Sequence, residues 1–169
     1  MIVENNSKPP IVWHGHHQAK FPIEILGETF ENRLCIIETV KLQEENPQKI
    51  AWRKKLFKLV IGLLPEAVQQ AMTAYQQAFN DRWQAIGDYY QIYGLFWQAK
   101  ANYKEVNAAD QQIYDAYRQT DAAYEKAKAT CQQVIKDHLP EIMALHAVEC
   151  GCPWTPENNN IFDYMPNQF

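Results

Sequence analysis

Three residues near the C-terminus have the types and the spacing of metal ligands. His146, Cys150 and Cys152 place one imidazole and two thiols within one helical turn and the loop after it, and Gly151 lets the chain curl between the thiols. Zinc binds four such nitrogen and sulfur ligands in a tetrahedron. The cluster therefore predicts three ligands of a structural zinc site.

A fourth ligand would have to come from elsewhere in the chain. The N-terminal segment carries a histidine run, and we expect the missing ligand to be His14, His16 or His17. A metal held in this way would clip the two ends of the chain together. The alternative is that His146 is an ordinary surface histidine and the cysteines are incidental, because a specific zinc signature has two ligand pairs at recognised spacing.

A catalytic metal is a further alternative. It would need an open coordination position and a neighbouring acid or base, for which Glu149 is the obvious candidate. The chain has no glycine-rich phosphate loop, no paired Glu-x-x-His motif of di-iron bundles and no Gly-x-Ser-x-Gly elbow. We therefore favour a non-enzymatic protein and rank a metal-dependent enzyme last.

A basic segment with a tryptophan in it is the second feature of interest. Five positive charges with no acid among them surround Trp52: Lys49, Arg53, Lys54, Lys55 and Lys58. Such a segment can bind a phosphate backbone, which makes a small nucleic-acid-associated subunit the first alternative function. It can equally be a solvated face that pairs with the glutamates of the preceding helix. The overall balance of 16 basic and 20 acidic residues excludes a chain-wide polycation.

An aromatic segment near the middle of the chain is the third feature of interest. Tyr89, Ile92 and Phe96 form a second apolar face beside the stripe that contains Tyr90. A helix that is apolar on two faces is either buried among several neighbours or meets a partner. Tyrosine and other aromatic side chains are good interface anchors, so these three residues are the predicted partner-binding surface.

The elements that must position these residues are helices. Apolar residues recur every three or four positions over most of the chain, and proline or asparagine marks the boundaries. This pattern predicts helices over about 22–44, 47–64 and 66–104, a fourth that begins after an N-cap at Asn107, and a short fifth over 140–148. The fourth has a heptad period typical of a coiled coil, and a short connection makes it the antiparallel neighbour of the third.

The predicted fold is all-α, a helical bundle built on a long antiparallel helical hairpin. Residues 1–21 are expected to form an extended arm, 22–148 the bundle domain and 149–169 an irregular tail. The hairpin favours an interaction or assembly protein, working as a dimer or through another protein partner. No signal-like or membrane-spanning segment is evident in the sequence, so the expected location is the cytoplasm.

Overall fold

In the computed structural model the chain divides into two compact units. Met1–Pro65 and Asp137–Phe169 belong to unit 1, and Glu66–Lys136 form unit 2. The structure describes residues 9–15, 20–41, 46–98, 103–158 and 160–165. It describes their side chains as well, except at 92–98, 103–110 and 164. The predicted division into arm, bundle and tail stays a prediction.

Unit 1 contains a small antiparallel sheet with the strand order β2-β1-β3. The central strand β1 (Ile11–Trp13) pairs with β2 (Ile23–Ile25) on one side and with β3 (Lys58–Leu59) on the other. Beyond β3 the Val60 N–H still donates to the Ile11 carbonyl, at 2.9 Å. The first strand therefore has backbone partners on both edges, and Val12 and Trp13 are fully buried.

Two short helices lie between these strands in sequence. The helix α1 (Phe30–Thr39) begins at Thr29, whose hydroxyl accepts from the Asn32 N–H. The helix α2 (Pro47–Leu56) begins at Asn46, whose side chain accepts from the Lys49 N–H, and has proline at its first position. These caps fix where both helices start.

Among the described residues of unit 1, two apolar clusters hold the elements together. The first contains Val12 of β1, Ile37 of α1 and Ile50 of α2, with Leu26 and Phe57 from just after β2 and α2, and Phe30 and Leu34 packed against them. The second joins α2 to the C-terminal segment through Trp52, Leu56, Trp154 and Ile161. In it the Trp52 indole N–H donates to the Ile161 carbonyl at 2.7 Å. The C-terminal segment is thus anchored, and it includes a short 3-10 helix over Ile161–Tyr164.

Unit 2 is the helical hairpin, formed by α3 (Glu66–Gln98) and α4 (Tyr103–Asp137). The two helices are antiparallel, because residues further along α3 contact residues earlier in α4. The ring of Tyr75 lies against that of Tyr124, and the ring of Tyr89 lies against that of Tyr117. Between these pairs the Arg82 Nε–H group donates to Asp121 Oδ1 at 2.6 Å. On α3, Val68 and Met72 are buried, whereas Trp83 and Tyr90 are exposed.

The mostly helical class is confirmed: 69% of residues are helical, and the described part of the chain contains five α-helices, the last being α5 (Leu139–Glu149). The chain is not all-α, because Ile11–Trp13 of the predicted extended arm form the strand β1. The predicted first helix is wrong over 23–25, which form β2. The second helix ends at Leu56 instead of Leu64, and α4 begins at Tyr103, before the predicted cap at Asn107.

Candidate metal centre

Two buried histidines from distant parts of unit 1 face each other. His14 follows β1 directly, and its N–H donates to the Pro22 carbonyl at 2.8 Å. His146 lies on α5, and both side chains are at most 2% exposed. Their Nε2 atoms are 2.9 Å apart although the residues are separated by 132 positions. Two imidazoles are thus held together where water hardly reaches them.

The backbone at His14 is unusual. Its φ is 51°, in the left-handed region that residues other than glycine rarely adopt. Strained conformations of this kind persist where the surrounding structure imposes them, and they cluster at ligand sites. Here the hydrogen bond to Pro22 and the burial of Trp13 hold the segment in place. This conformation directs the chain after β1 so that the His14 ring meets His146.

The two cysteines lie where α5 ends. The N–H groups of Cys150 and Gly151 both donate to the His146 carbonyl, at 2.9 and 3.1 Å. Gly151 has a φ of +65°, a conformation suited to glycine, which turns the chain back on itself after the helix. Cys152 Sγ then lies 3.2 Å from His14 Nε2 and 3.3 Å from His146 Nε2. The turn brings both thiols to the histidine pair.

The resulting group could hold a metal ion. One ligand atom from each of His14, His146, Cys150 and Cys152 lies within 4.8 Å of all the others. Three of these residues were predicted as a cluster, and His14 is the member of the N-terminal run that joins them. His16 and His17 lie outside the described residues.

A hydrogen bond joins the two thiols. This bond from Cys152 is the main cause that lowers the pKa of Cys150; burial opposes the shift, and His14 and His146 add to it. The pKa of Cys152 is raised, first because its own proton is held in that bond and then because the thiol is buried. The pair therefore loses one proton easily and the second with difficulty, unless a cation replaces it.

Aromatic rings surround the cluster on its buried side. The ring of His146 lies edge-on to Trp13, with centroids 5.2 Å apart, and Trp154 lies 6.3 Å from both imidazoles. The two cysteines pack against the second apolar cluster of unit 1. Apolar walls of this kind exclude water and strengthen electrostatic interactions inside the site.

Glu149 does not lie in the position of a free acid or base. Its Oε2 accepts from the Trp13 indole N–H at 2.8 Å and from the Ile61 N–H at 3.1 Å, and its Oε1 accepts from the Gly62 N–H. Burial opposes ionisation, but these three donors together lower the pKa of Glu149 below its ordinary value. The bond to Trp13 spans 136 positions, and no sequence pattern indicated it.

The predicted partner surface is only partly described. Tyr89 lies beside Tyr90 and Tyr117 on the hairpin, while the side chains of Ile92 and Phe96 lie outside the description. Tyr89 lines a groove of about 230 Å³, whose other lining residues are Ile86, Tyr90, Tyr114 and Tyr117. Sequence analysis did not indicate the contribution of α4 to this groove.

The five basic residues do not form one free face. Arg53 is only 4% exposed, and Lys54 pairs with Glu38 of α1, as the solvated-face alternative expected. Lys49 lies over the Phe162 ring and Lys55 over the Trp52 ring, at 4.9 and 5.1 Å from the centroids. Lys58 is exposed on β3 rather than on a helix. Nucleic-acid binding through this segment stays a prediction.

Comparison with known proteins assigns no family. No protein-family model matches the chain, and neither the curated proteins nor the solved structures searched contain a match. Within the described ranges, no helix combines the length and apolar composition needed to cross a bilayer.

Proposed function

We propose that the protein is a non-enzymatic assembly protein in which a structural zinc ion clips the two ends of unit 1 and the helical hairpin of unit 2 binds a partner. The observation that carries the zinc assignment is the convergence of His14, His146, Cys150 and Cys152. Two imidazoles and two thiols are a ligand set that zinc takes in structural sites.

The distances support a tetrahedral ion. With bonds of about 2.05 Å to nitrogen and 2.3 Å to sulfur, a tetrahedron places its ligand atoms about 3.3 Å apart for two nitrogens and about 3.6 Å apart for nitrogen and sulfur. The corresponding distances here are 2.9 Å between the imidazoles and 3.2 and 3.3 Å from Cys152 Sγ. Zinc would therefore require His14, His146 and Cys152 to separate by only a few tenths of an ångström, and Cys150 offers its thiol within 4.8 Å of all three.

A structural role fits this site better than a catalytic one. Four protein ligands complete the tetrahedron, whereas a catalytic zinc keeps one position for water or substrate. Glu149, the acid or base that an enzyme would need, already accepts three hydrogen bonds. Both histidines are buried, so the cluster does not open to solvent on that side.

The proposed clip compensates for a small unit with a short sheet. The strands of unit 1 are two or three residues long, and such sheets are weak by themselves. A zinc ion would join the end of β1 to the end of α5 across 132 positions of sequence. Binding to the folded state alone stabilises it by mass action.

The partner-binding half of the proposal rests on exposed aromatic side chains of the hairpin. Trp83 is 55% exposed, Tyr90 68% and Tyr114 45%. Aromatic side chains are enriched among the residues that dominate binding energy. Tyr90 and Tyr114 line one groove formed by α3 and α4, and we propose that a second copy of the chain meets this surface around a twofold axis.

Solution mass tests the dimer. The chain mass is 19.7 kDa, and light scattering coupled to gel filtration should give twice that value for the wild type. Trp83 and Tyr90 are the exposed aromatics among the described side chains of α3, and the double variant Trp83→Ser with Tyr90→Ser should give monomers. Gln84→Ser changes an exposed polar residue of the same helix and should leave the dimer intact. A wild type that stays monomeric at high concentration would contradict this half of the proposal.

A further inference from the structure

The carboxylate of Glu149 joins three segments of unit 1 at one point. It accepts from the Trp13 indole, at the end of β1, and from the backbone N–H groups of Ile61 and Gly62, just after β3. Its own residue is the last of α5. One side chain thus ties two strands of the sheet to the helix that carries His146.

These contacts lie next to the proposed ligands along the chain. Trp13 is the residue before His14, and Glu149 is the residue before Cys150. The Trp13 ring also packs edge-on against the His146 imidazole. Glu149 is thus bonded to the residue before His14 and directly precedes Cys150, although it is not one of the four candidate ligands.

We propose that Glu149 is a positioning residue of the metal centre, which sets the separation between His14 and the Cys150–Cys152 loop through Trp13. The inference rests on the proposed zinc site. Residues around a metal that orient its ligands change the affinity for the metal by about 10- to 100-fold when they are replaced. Glu149 acts on the ligands through hydrogen bonds that fix the neighbouring residues.

Gly62 is a second residue whose replacement would disturb the Glu149 carboxylate. A Cβ added at this position would lie 2.7 Å from Glu149 Oε1 and would also collide with the end of the Leu145 side chain. An alanine here would push the carboxylate away from the N–H groups that hold it. Gly62→Ala should therefore weaken the metal centre by the same route as a change at Glu149, although Gly62 lies 88 and 90 positions from Cys150 and Cys152 in sequence.

The test is a zinc titration of purified full-length protein in competition with a chromophoric chelator. Glu149→Ala should weaken zinc binding by about 10- to 100-fold. Glu149→Gln keeps one carbonyl oxygen for Trp13 and Ile61 but presents an amide N–H group to Gly62, so its affinity should lie between Glu149→Ala and wild type. Glu157→Ala removes the same charge from an exposed position beside the cysteine loop and should bind zinc like wild type.

Two further readouts separate positioning from general destabilisation. Cobalt(II) bound in place of zinc should show altered visible absorption bands in Glu149→Ala, because the ligand geometry changes. The effects of Glu149→Ala and Gly62→Ala should be less than additive in the double variant, because both act through one contact. Additive effects with an unchanged cobalt spectrum would overturn the inference.

The outcomes distinguish the two proposals. If wild type binds no zinc, the proposed zinc site and this inference both fail. If wild type binds zinc and Glu149→Ala binds it with equal affinity, the inference alone fails. Should Glu149→Ala not fold, Gly62→Ala and Glu149→Gln provide the same comparison, and wild-type affinity in both would overturn the positioning role.

Discussion

Removing the metal should destabilise unit 1 and leave the hairpin of unit 2 largely unaffected. All four proposed ligands belong to unit 1, and none lies on α3 or in the part of α4 that belongs to unit 2. A strong chelator added to metal-loaded protein is the cleanest perturbation, because it changes no residue. It withdraws the stabilisation that zinc gives to the folded state.

The expected magnitude follows from mass action. Free zinc at 1,000 times its dissociation constant stabilises the state that binds it by about 4 kcal/mol. A folding unit of roughly one hundred residues, such as unit 1, shifts its Tm by about 4–8 °C per kcal/mol. Chelation should therefore lower the Tm of unit 1 by about 15–30 °C.

Two optical signals follow the two units separately. Trp13, Trp52 and Trp154 are buried in unit 1, so tryptophan fluorescence reports mainly on the unfolding of that unit. The long helices α3 and α4 dominate the circular dichroism at 222 nm. Chelator should move the fluorescence transition to lower temperature and change the dichroism transition much less. Identical fluorescence transitions with and without chelator would refute the reasoning.

Three further predictions concern single groups of the metal-free or loaded protein. Burial raises the pKa of Cys131 to about 11, so at pH 8 only about one Cys131 thiol in a thousand is ionised. Iodoacetamide should therefore modify the exposed Cys35 far faster than Cys131. Equal rates of modification by mass spectrometry would contradict this. Trp154→Ala should cost about 3–5 kcal/mol in urea unfolding of unit 1, because it leaves a cavity in the second apolar cluster, whereas Val148→Ala, at an exposed position on α5, should cost much less. The pKa of Glu149 is lower in the folded than in the unfolded chain, so ionised Glu149 stabilises chelator-treated protein fully above its unfolded pKa, and this stabilisation is lost as the pH falls through its folded pKa. Glu149→Gln should remove this loss of stability below about pH 4.3. An unchanged dependence of stability on pH in the variant would refute the prediction.

The long helices were predictable because their signal is local. The step of three or four between apolar residues runs through α3 and α4, and it gave the hairpin with its antiparallel order. The strands were missed for the opposite reason. Three residues are too few to display alternation against a helical pattern, and β1 pairs with Leu59, which lies 47 positions beyond Val12. The alternation in Ile23-Glu24-Ile25 was present but lay within a stretch that also fitted a helix.

The candidate site shows the same limit. His146, Cys150 and Cys152 were recognisable because one helix end carries them all. The choice of His14 among three nearby histidines depends on β1, which places that residue directly after the buried Trp13. Glu149 was noticed for its charge, yet its role depends on donors more than 80 positions away. Tertiary contacts of this length leave no local pattern in the sequence.

The zinc content of the purified chain tests the central claim most directly. Protein prepared without a histidine tag should contain one zinc per chain by elemental analysis. Cys150→Ser and Cys152→Ser should each lose most of it, while Cys35→Ser, at an exposed position on α1, should retain it. Wild-type protein without stoichiometric metal after growth in zinc, or cysteine variants that keep a full zinc, would contradict the proposed metal centre.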